Sequence, residues 1–583
     1  MTSCVTFVTV YMNIYPKSDE GQRDMAWRFQ QFAKIAETGI QLCVYVDESS
    51  EELLDQFITL YPNIRKMRTW KNIQETWVHG ICRPYSLQLP THRNKQKDTY
   101  EYMALMHTKM ECMADAIQTN PFGSTHFAWI DFNIAHIFKN MLASQAQLKS
   151  ISMNQWSSLR ADTSSMKSQS FLAMPGCWPE LPTPLEEPYT NTILNTIHWR
   201  FCGGFFMGDK TSVSEFCTLY QTHFPLFLKE HSKMIWEVNF WTWMENKIVK
   251  WKPQWYAADH NDSILHIPMD YWTMCLADTV RSYTCIPLDM PFLETDFSPM
   301  SSSVTPCSDN INDGYWMNTR YVNYRLADNG SYIFYHPENK IVTKNLCTRL
   351  DKDLNMMEFF YMANPTDLVS RECNFDGIED IRIWYKKNEQ KIYYVGSSVN
   401  YAPDKRTRIV TGEYNIAQRK LCNNIVVEPP TDTWCEKNWC PIMDSSPTNP
   451  QKFLYQCSDM TMCHIASGKM VIDSQQSDTP SWLSSCRGST YFRESLVHPG
   501  YLIGLVHYSR NEWPRHYYHL LVLLDPKTWS PVKFSQPFSF CKPTTIEFCI
   551  GFIETGDKYY FWVSQYDRDP VRISVDVCDL PLN

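Results

Sequence analysis

His126-Phe127-Ala128-Trp129-Ile130-Asp131-Phe132-Asn133 is a short apolar run that ends in a carboxylate, and its reading decides the first half of the chain. It is the length of one buried strand. Upstream, Val5-Thr6-Phe7-Val8-Thr9-Val10 and Leu42-Cys43-Val44-Tyr45-Val46 read the same way, the second ending at Asp47. Helical patterns from Arg28 to Glu37 and from Thr99 to Ala116 stand between these strands. Strands alternating with helices predict an α/β layer fold with a mainly parallel sheet. Ligands of such sheets bind beyond the carboxyl ends of the strands. Asp47 and Asp131 occupy such ends, so both are candidate donor-site residues.

A transferred group that leaves a diphosphate needs its departing charge offset, and a hard divalent cation held by oxygens does this. Asp131, with the amide oxygen of Asn133, fits that task; an Asp capping the next helix is the competing reading. Gly203 and Gly204, inside an apolar run, permit close backbone approach to a ligand. Glu237 lies among large aromatics in Trp236-Glu237-Val238-Asn239-Phe240-Trp241. That setting is expected to raise its pKa and suit a general base, while a helix N-terminal charge is the plain alternative. His260 stands either as a nitrogen ligand to the metal or as a structural histidine.

The chain has 583 residues, too many for one core, and its balance of 44% apolar and 20% charged residues is that of a folded protein. A net charge of −9 without a basic stripe argues against nucleic acid as partner. Trp 21 and Tyr 32 fit aromatic-rich cores or surfaces that stack sugar faces. No signal peptide or membrane-spanning run is read, and the expected compartment is the cytoplasm. The 21 cysteines are scattered without paired CxxC spacing, so a zinc site is not expected and most should be buried free thiols.

The Ser-, Pro- and Asp-rich stretch 291–314 reads as a linker. It divides a first domain, 1–290, from a second, 315–583, in which helical periodicity gives way to short strands. Polar clusters recur there at Arg320 to Arg325, Glu379 to Arg382, Glu436 to Trp439, Arg487 to Thr490 and Glu547. Their interval of roughly fifty to sixty residues is the scale of one propeller blade. Five clusters predict five blades, each aiming its cluster at a common axis.

The segments WIDFNI from Trp129, PGCW from Pro175, CGGFFMGD from Cys202, WEVNFW from Trp236 and WYAADHNDSIL from Trp255 resemble, in that order, the HtrL/YibB-like glycosyltransferase family over roughly residues 1–270. The resemblance implies a GT-A-like fold with a metal-binding acidic motif after a strand and an acceptor half. On it, Asp131 is the donor-diphosphate or metal residue and Glu237 lies on the acceptor side; Asn133 replaces the usual second Asp. In the second domain, Glu379-Asp380-Ile381-Arg382 resembles the E-D-P-R strand of five-bladed β-mannoside phosphorylases, with Ile381 in place of Pro. Glu436-Lys437-Asn438-Trp439 is similar to the E-K-N-W blade of glycan-synthesis propellers, and Arg487, His507, Tyr518 and Glu547 continue the pattern. Glu379 and Asp380 are the candidate catalytic pair. Arg382, Glu436, Lys437, Arg487, His507, Tyr518 and Glu547 are the candidate sugar-binding set, with Trp384 and Trp439 as further stacking faces.

The fold expected is therefore α/β plus all-β: a GT-A-like nucleotide-sugar domain followed by a five-bladed β-propeller. The expected partners are a nucleotide-sugar donor and a glycan or glycoprotein acceptor, with Mn²⁺ or Mg²⁺ held by Asp131, Asn133 and His260. A glycoside phosphorylase or hydrolase acting through the propeller, and a carbohydrate-binding protein without catalysis, are the alternatives.

Overall fold

The computed structural model describes residues 5–14, 24–153, 171–182, 185–248, 251–269, 273–292, 294–327, 329–335, 340–443, 451–477, 479–509, 515–541 and 546–582. The chain divides into two compact units, Met1–Trp272 and Thr273–Asn583.

The first unit is mixed α/β. Its strands are β1 (Val5–Tyr11), β2 (Gln41–Asp47), β3 (Ile64–Trp70), β4 (His126–Ile130), β5 (Leu172–Gly176), β6 (Phe205–Asp209) and β7 (Gln254–Ala257), in the sheet order β3-β2-β1-β4-β6-β5-β7. All are parallel except β6, which runs against both β4 and β5. β1 and β4 are buried along their whole length, as their unbroken apolar and β-branched runs require of central strands. The chain moves from β1 outward to β2 and β3, then returns to place β4 on the other side of β1. That reversal opens a crevice at the carboxyl ends of β1 and β4, where Met12 and Asp131 lie.

Four helices matter to the site. α1 (Met25–Ala36) starts at Asp24, whose carboxylate accepts from Trp27 N at 2.8 Å. α2 (Lys109–Thr119) and α3 (Lys210–His231) pack on the sheet. α4 (Glu237–Lys247) is buried nearly throughout. Trp129, Phe206, Phe216, Tyr220, Phe240 and Trp241 join the sheet, α3 and α4 in one aromatic core.

The second unit is a succession of antiparallel sheets. Ser298–Pro306, Tyr315–Val322, Ile341–Leu350 and Met356–Met362 form the first, and Glu379–Lys386 through Lys420–Val426 the second. Cys440–Pro441 through Lys469–Ser474 form the third, and the fourth is built on Leu502–Ser509 and Tyr517–Leu524. Glu547–Glu554, Lys558–Gln565 and Asp569–Asp576 form the fifth, whose outer strand is the earlier segment Thr284–Pro287. First strands meet one another: Ser303 Oγ donates to Ile381 O at 2.6 Å, and a Cβ on Gly551 would lie 2.6 Å from Ser302 O. Five sheets joined through their first strands, the last closed by a strand that precedes the first, make a propeller-like ring.

This closure corrects the expected domain boundary. The boundary falls after Trp272, not at 290, because Thr284–Pro287 hydrogen-bonds into the last sheet as its outer strand. The expected linker is also corrected. Ser298–Pro306 is a strand in which Ser301, Ser302, Ser303 and Thr305 are at most 1% exposed. Their hydroxyls are hydrogen-bonded rather than solvated: Ser302 Oγ lies 2.8 Å from Thr319 Oγ1, and Thr305 Oγ1 accepts from Tyr385 N at 2.8 Å. Small hydroxyl side chains suit a strand crowded by its neighbours on both sides. A Ser/Pro-rich composition reads as a linker only while those partners are unseen.

Candidate functional site

A cavity of about 830 Å³ opens at the β1/β4 crevice of the first unit. Val10, Tyr11 and Met12 from β1 and its end, and Trp129, Asp131 and Asn133 from β4 and its end, form one wall. Gly203, Gly204, Trp236, Glu237 and His260 form another, and Arg28 and Lys97 bring cationic side chains to the lining.

Beneath it lies a residue that the sequence reading missed. Lys109, 1% exposed at the start of α2, brings its Nζ to 2.8 Å from Glu237 Oε1, 3.2 Å from Asp131 Oδ1 and 2.6 Å from Gly203 O. Burial alone favours the neutral amine, but Asp131 and Glu237 overcome it and hold the ammonium. Asp131 Oδ1 also accepts from Trp129 Nε1 at 2.8 Å, so the carboxylate is fixed by its own strand. A Lys directly after the apolar run Met103-Ala104-Leu105-Met106 and His107-Thr108 was the available signal.

Lys109 revises two expectations. Burial does raise the Glu237 pKa, but the Lys109 charge and hydrogen bond outweigh it and hold the group below the usual carboxylate range. Glu237 is an ion-pair partner of Lys109 and a weak base, the reverse of the expected shift. The glycines also find a different use. A Cβ on Gly203 would lie 2.3 Å from Glu237 Oε1 and 3.1 Å from Lys109 Nζ, and one on Gly204 would lie 2.8 Å from Ile134 Cδ1. The close approach they permit is to the protein's own ion pair and core. Asp47 is 5% exposed and does not line the cavity; its carboxylate accepts from Asn13 N at 2.7 Å, Ser49 Oγ at 2.9 Å and Ser50 Oγ at 2.6 Å. It fixes the turn after β1.

The three expected metal ligands, Asp131, Asn133 and His260, all line the cavity. Among the described residues, the thiols of Cys177 and Cys202 and the imidazole of His260 form a group whose ligand atoms lie within 4.8 Å of one another.

The second unit gathers part of the expected sugar site. Glu379 and Asp380 begin the first strand of the second sheet, where the register shifts between Glu379 and Arg382. Asp380 sits in that bulge with φ +49°, a conformation that costs a non-glycine residue free energy and that bulges near functional sites use to re-aim side chains. Arg320 Nη2 lies 3.1 Å from Glu379 Oε1, Arg320 Nη1 3.0 Å from Asp380 Oδ1, and Lys437 Nζ 3.1 Å from Glu379 Oε2. Burial would raise the Asp380 pKa, but Arg320, Lys437 and Arg382 hold it below the usual range. Asp567 behaves oppositely: burial and the neighbouring Asp380 carboxylate push it up to about 6, despite Arg320.

Arg382 spans the first strands. It donates to Ser489 O, to Asp380 O at 3.0 Å and to Asn438 Oδ1 at 3.1 Å. His507 Nδ1 lies 2.8 Å from Ser489 Oγ, and burial with Arg382 and Arg487 pushes its pKa down to about 3, so it is neutral. Arg487 pairs with His507 in register and is exposed.

The remaining members of the expected set serve the blades. Glu436 is buried and accepts from Thr433 Oγ1, Trp439 Nε1 and Tyr455 OH. Glu547, fully buried, accepts from Phe540 N at 2.6 Å and Cys541 N at 2.8 Å. Both satisfy local donors that burial would otherwise orphan. Trp384 and Trp439 pack in a common core, and Tyr518 is buried against Tyr508, so none of the three offers a face to a sugar.

No protein-family model and no curated protein matches the chain. Among solved structures it is similar to the β-1,2-mannobiose phosphorylase of Listeria innocua, at 11% identity and TM-score 0.33, covering 51% of this chain and 95% of that one. A structure from work on the GH130 family of mannoside phosphorylases, which contains glycoside hydrolases that target β-1,2 mannosidic linkages in Candida mannan, is similar at 11% identity and TM-score 0.34, over 50% and 93%. Mouse xyloside xylosyltransferase 1 is similar at 9% identity and TM-score 0.22, over 43% and 84%. At these values the activity has to be argued from the chain's own residues.

Proposed function

We propose that the first unit is a glycosyltransferase that moves a sugar from a nucleotide-sugar donor to a glycan or glycoprotein acceptor. The observation that carries this is the cavity at the β1/β4 switch point with the fixed Lys109–Asp131–Glu237 triad in its floor. The sheet, with β6 alone reversed, supports the GT-A-like reading. Nucleotide sugars make the cytoplasm the compartment this reading assumes.

The triad carries one cation and two carboxylates, so it presents a net negative charge beside Asp131. That suits Mn²⁺ or Mg²⁺ bound by Asp131 and Asn133 oxygens together with donor phosphates, because such ions take few protein ligands when a phosphate is present. Bound there, the ion would neutralise charge on the departing diphosphate. The chain's own part is positional. Trp129 and Lys109 hold Asp131 Oδ1 in one orientation, and a pre-set carboxylate loses no rotamer freedom on binding. Glu237 keeps Lys109 charged and in place, and Arg28 and Lys97 are placed to face phosphate oxygens.

A second reading has an observation of its own. Asp380 is held ionised while Asp567 keeps its proton to about pH 6, and two carboxyls pushed apart in this way are how acid and base roles are divided in glycosidic chemistry. On this reading the ring acts on glycosidic bonds with Asp567 as acid.

The two are separated by incubating the full chain with a panel of UDP-, GDP- and CMP-sugars and Mn²⁺, and in parallel with β-linked oligosaccharides with and without phosphate. Nucleoside diphosphate release supports the transferase. Oligosaccharide cleavage without any nucleotide-sugar turnover would replace it with the second reading.

A further inference from the structure

Cys177 follows β5, Cys202 lies in the loop before β6, and His260 follows β7. Their ligand atoms all lie within 4.8 Å of one another, with Cys177 Sγ 3.8 Å from Cys202 Sγ. Asp259 Oδ1 lies 3.8 Å from Cys177 Sγ but is not one of the three mutually converging groups. We propose that Cys177, Cys202 and His260 form a three-ligand site for a thiolate-preferring dication of the zinc class, with water in the fourth position.

The geometry matches the ion. A tetrahedron with Zn–S bonds of about 2.3 Å has sulfur–sulfur edges of about 3.8 Å. A disulfide needs an S–S distance of about 2.05 Å, so the two sulfurs stand at an ion's spacing rather than a bond's. Two thiolates and an imidazole favour zinc over Mg²⁺ or Mn²⁺, which keep to oxygen.

The scaffold is also built for convergence. A Cβ on Gly176 would fall 1.8 Å from Arg200 O and 2.3 Å from Trp255 Nε1, so only glycine lets these three segments meet. Cys202 N donates to Pro175 O at 2.7 Å, Cys177 N to Trp199 O at 2.9 Å and Ala258 N to Gly176 O at 2.8 Å. Asp259 Oδ1 accepts from His260 N at 2.7 Å, and the Trp199 ring meets the His260 ring edge-on at 4.1 Å. Arg200, beside this loop, is tied to Glu245 by two hydrogen bonds of 2.9 and 2.8 Å. Ligands held by such surroundings are oriented before the ion arrives.

The three ligands come from separate segments, so an ion held there would clamp them together. It joins the loop that carries Gly203 and Gly204 to the end of β7, and Cys202 and His260 are themselves part of the cavity wall. His260 therefore belongs to this ion and leaves a hard ion at Asp131 to oxygen ligands. This inference does not depend on transferase activity.

The test uses the full chain, reduced, with Co²⁺ as a spectroscopic stand-in for Zn²⁺. One equivalent should give thiolate-to-cobalt charge-transfer bands and the intense ligand-field bands of tetrahedral cobalt. Cys177→Ser and His260→Ala should each weaken binding by about 100-fold or more, while Cys435→Ser and Asp131→Asn leave the spectrum unchanged. Because a ligand variant can misfold, the unaltered protein supplies a second readout: Zn²⁺ should slow iodoacetamide alkylation of Cys177 but not of the exposed Cys435. Cobalt binding without thiolate bands, alkylation of Cys177 indifferent to zinc, or a Cys177–Cys202 disulfide under these reducing conditions would each overturn the site.

Discussion

The two buried charge clusters solve the same problem in opposite ways. In the first unit one ammonium, Lys109, serves two carboxylates, and Glu237 is held ionised although it is 5% exposed. In the second, Arg320 and Lys437 are shared between Glu379 and Asp380, while Asp567 is left with a carboxylate for a neighbour and its pKa is pushed up to about 6. Burial acts the same way on Glu237, Asp380 and Asp567; the difference is a cation in direct contact with the first two. The first cluster is a set of fixed charges with a net negative sign, which suits holding a metal ion. The second contains a group able to give up a proton near neutral pH, which suits acid catalysis.

The largest effect should come from removing the cation of the first cluster. Lys109→Met leaves Glu237 buried without a partner and should cost about 3–5 kcal/mol in denaturant unfolding of the first unit. Adding Glu237→Gln to the same protein should recover part of that loss. If Lys109→Met unfolds like the unaltered protein, the triad is not the fixed-charge device described here.

An intermediate effect tests the second cluster. Asp567 is raised from an ordinary value of 3.8 to about 6, so the folded state binds its proton more tightly than the unfolded chain. Stability should fall as pH rises through that window, because the ionised acid is disfavoured only in the folded state. Asp567→Asn should remove this dependence and stabilise the second unit by about 1–3 kcal/mol above pH 6. An unchanged pH profile would show that Asp567 is ionised throughout.

The smallest effect marks the edge of the cluster. Arg487 is exposed, and Arg487→Ala should change stability by less than about 0.5 kcal/mol. A loss of several times that would mean that Arg487 does belong with the buried charges.

What the sequence revealed follows from where each signal resides. β1, β2 and β4 were legible because a buried strand writes its whole burial into a few consecutive residues. Asp131 was legible because it ends such a run. The five-sheet ring was legible through its spacing, although the first polar cluster, at Arg320, lies on a second strand rather than a first one. Ser298–Pro306 was hidden because its burial depends on partners as distant as Ile381 and Gly551. Glu436 and Glu547 were misread because an acid that satisfies nearby donors looks, in sequence, like one that faces a ligand. The Cys177–Cys202–His260 cluster was dismissed for want of CxxC spacing, yet its ligands come from three separate strand ends. Spacing rules detect local metal sites and pass over those that a sheet assembles.

The central claim is that nucleotide-sugar chemistry resides at Asp131 in the first unit. The most direct measurement is nucleoside diphosphate release from the donor that the panel identifies, compared among the unaltered chain, Asp131→Asn and Asp380→Asn. Asp131→Asn should lower the rate by about 100-fold or more in protein that remains folded because Glu237 still pairs with Lys109, and Asp380→Asn should leave donor hydrolysis as it was. Equal rates in the unaltered and Asp131→Asn proteins, or a loss confined to Asp380→Asn, would contradict the account.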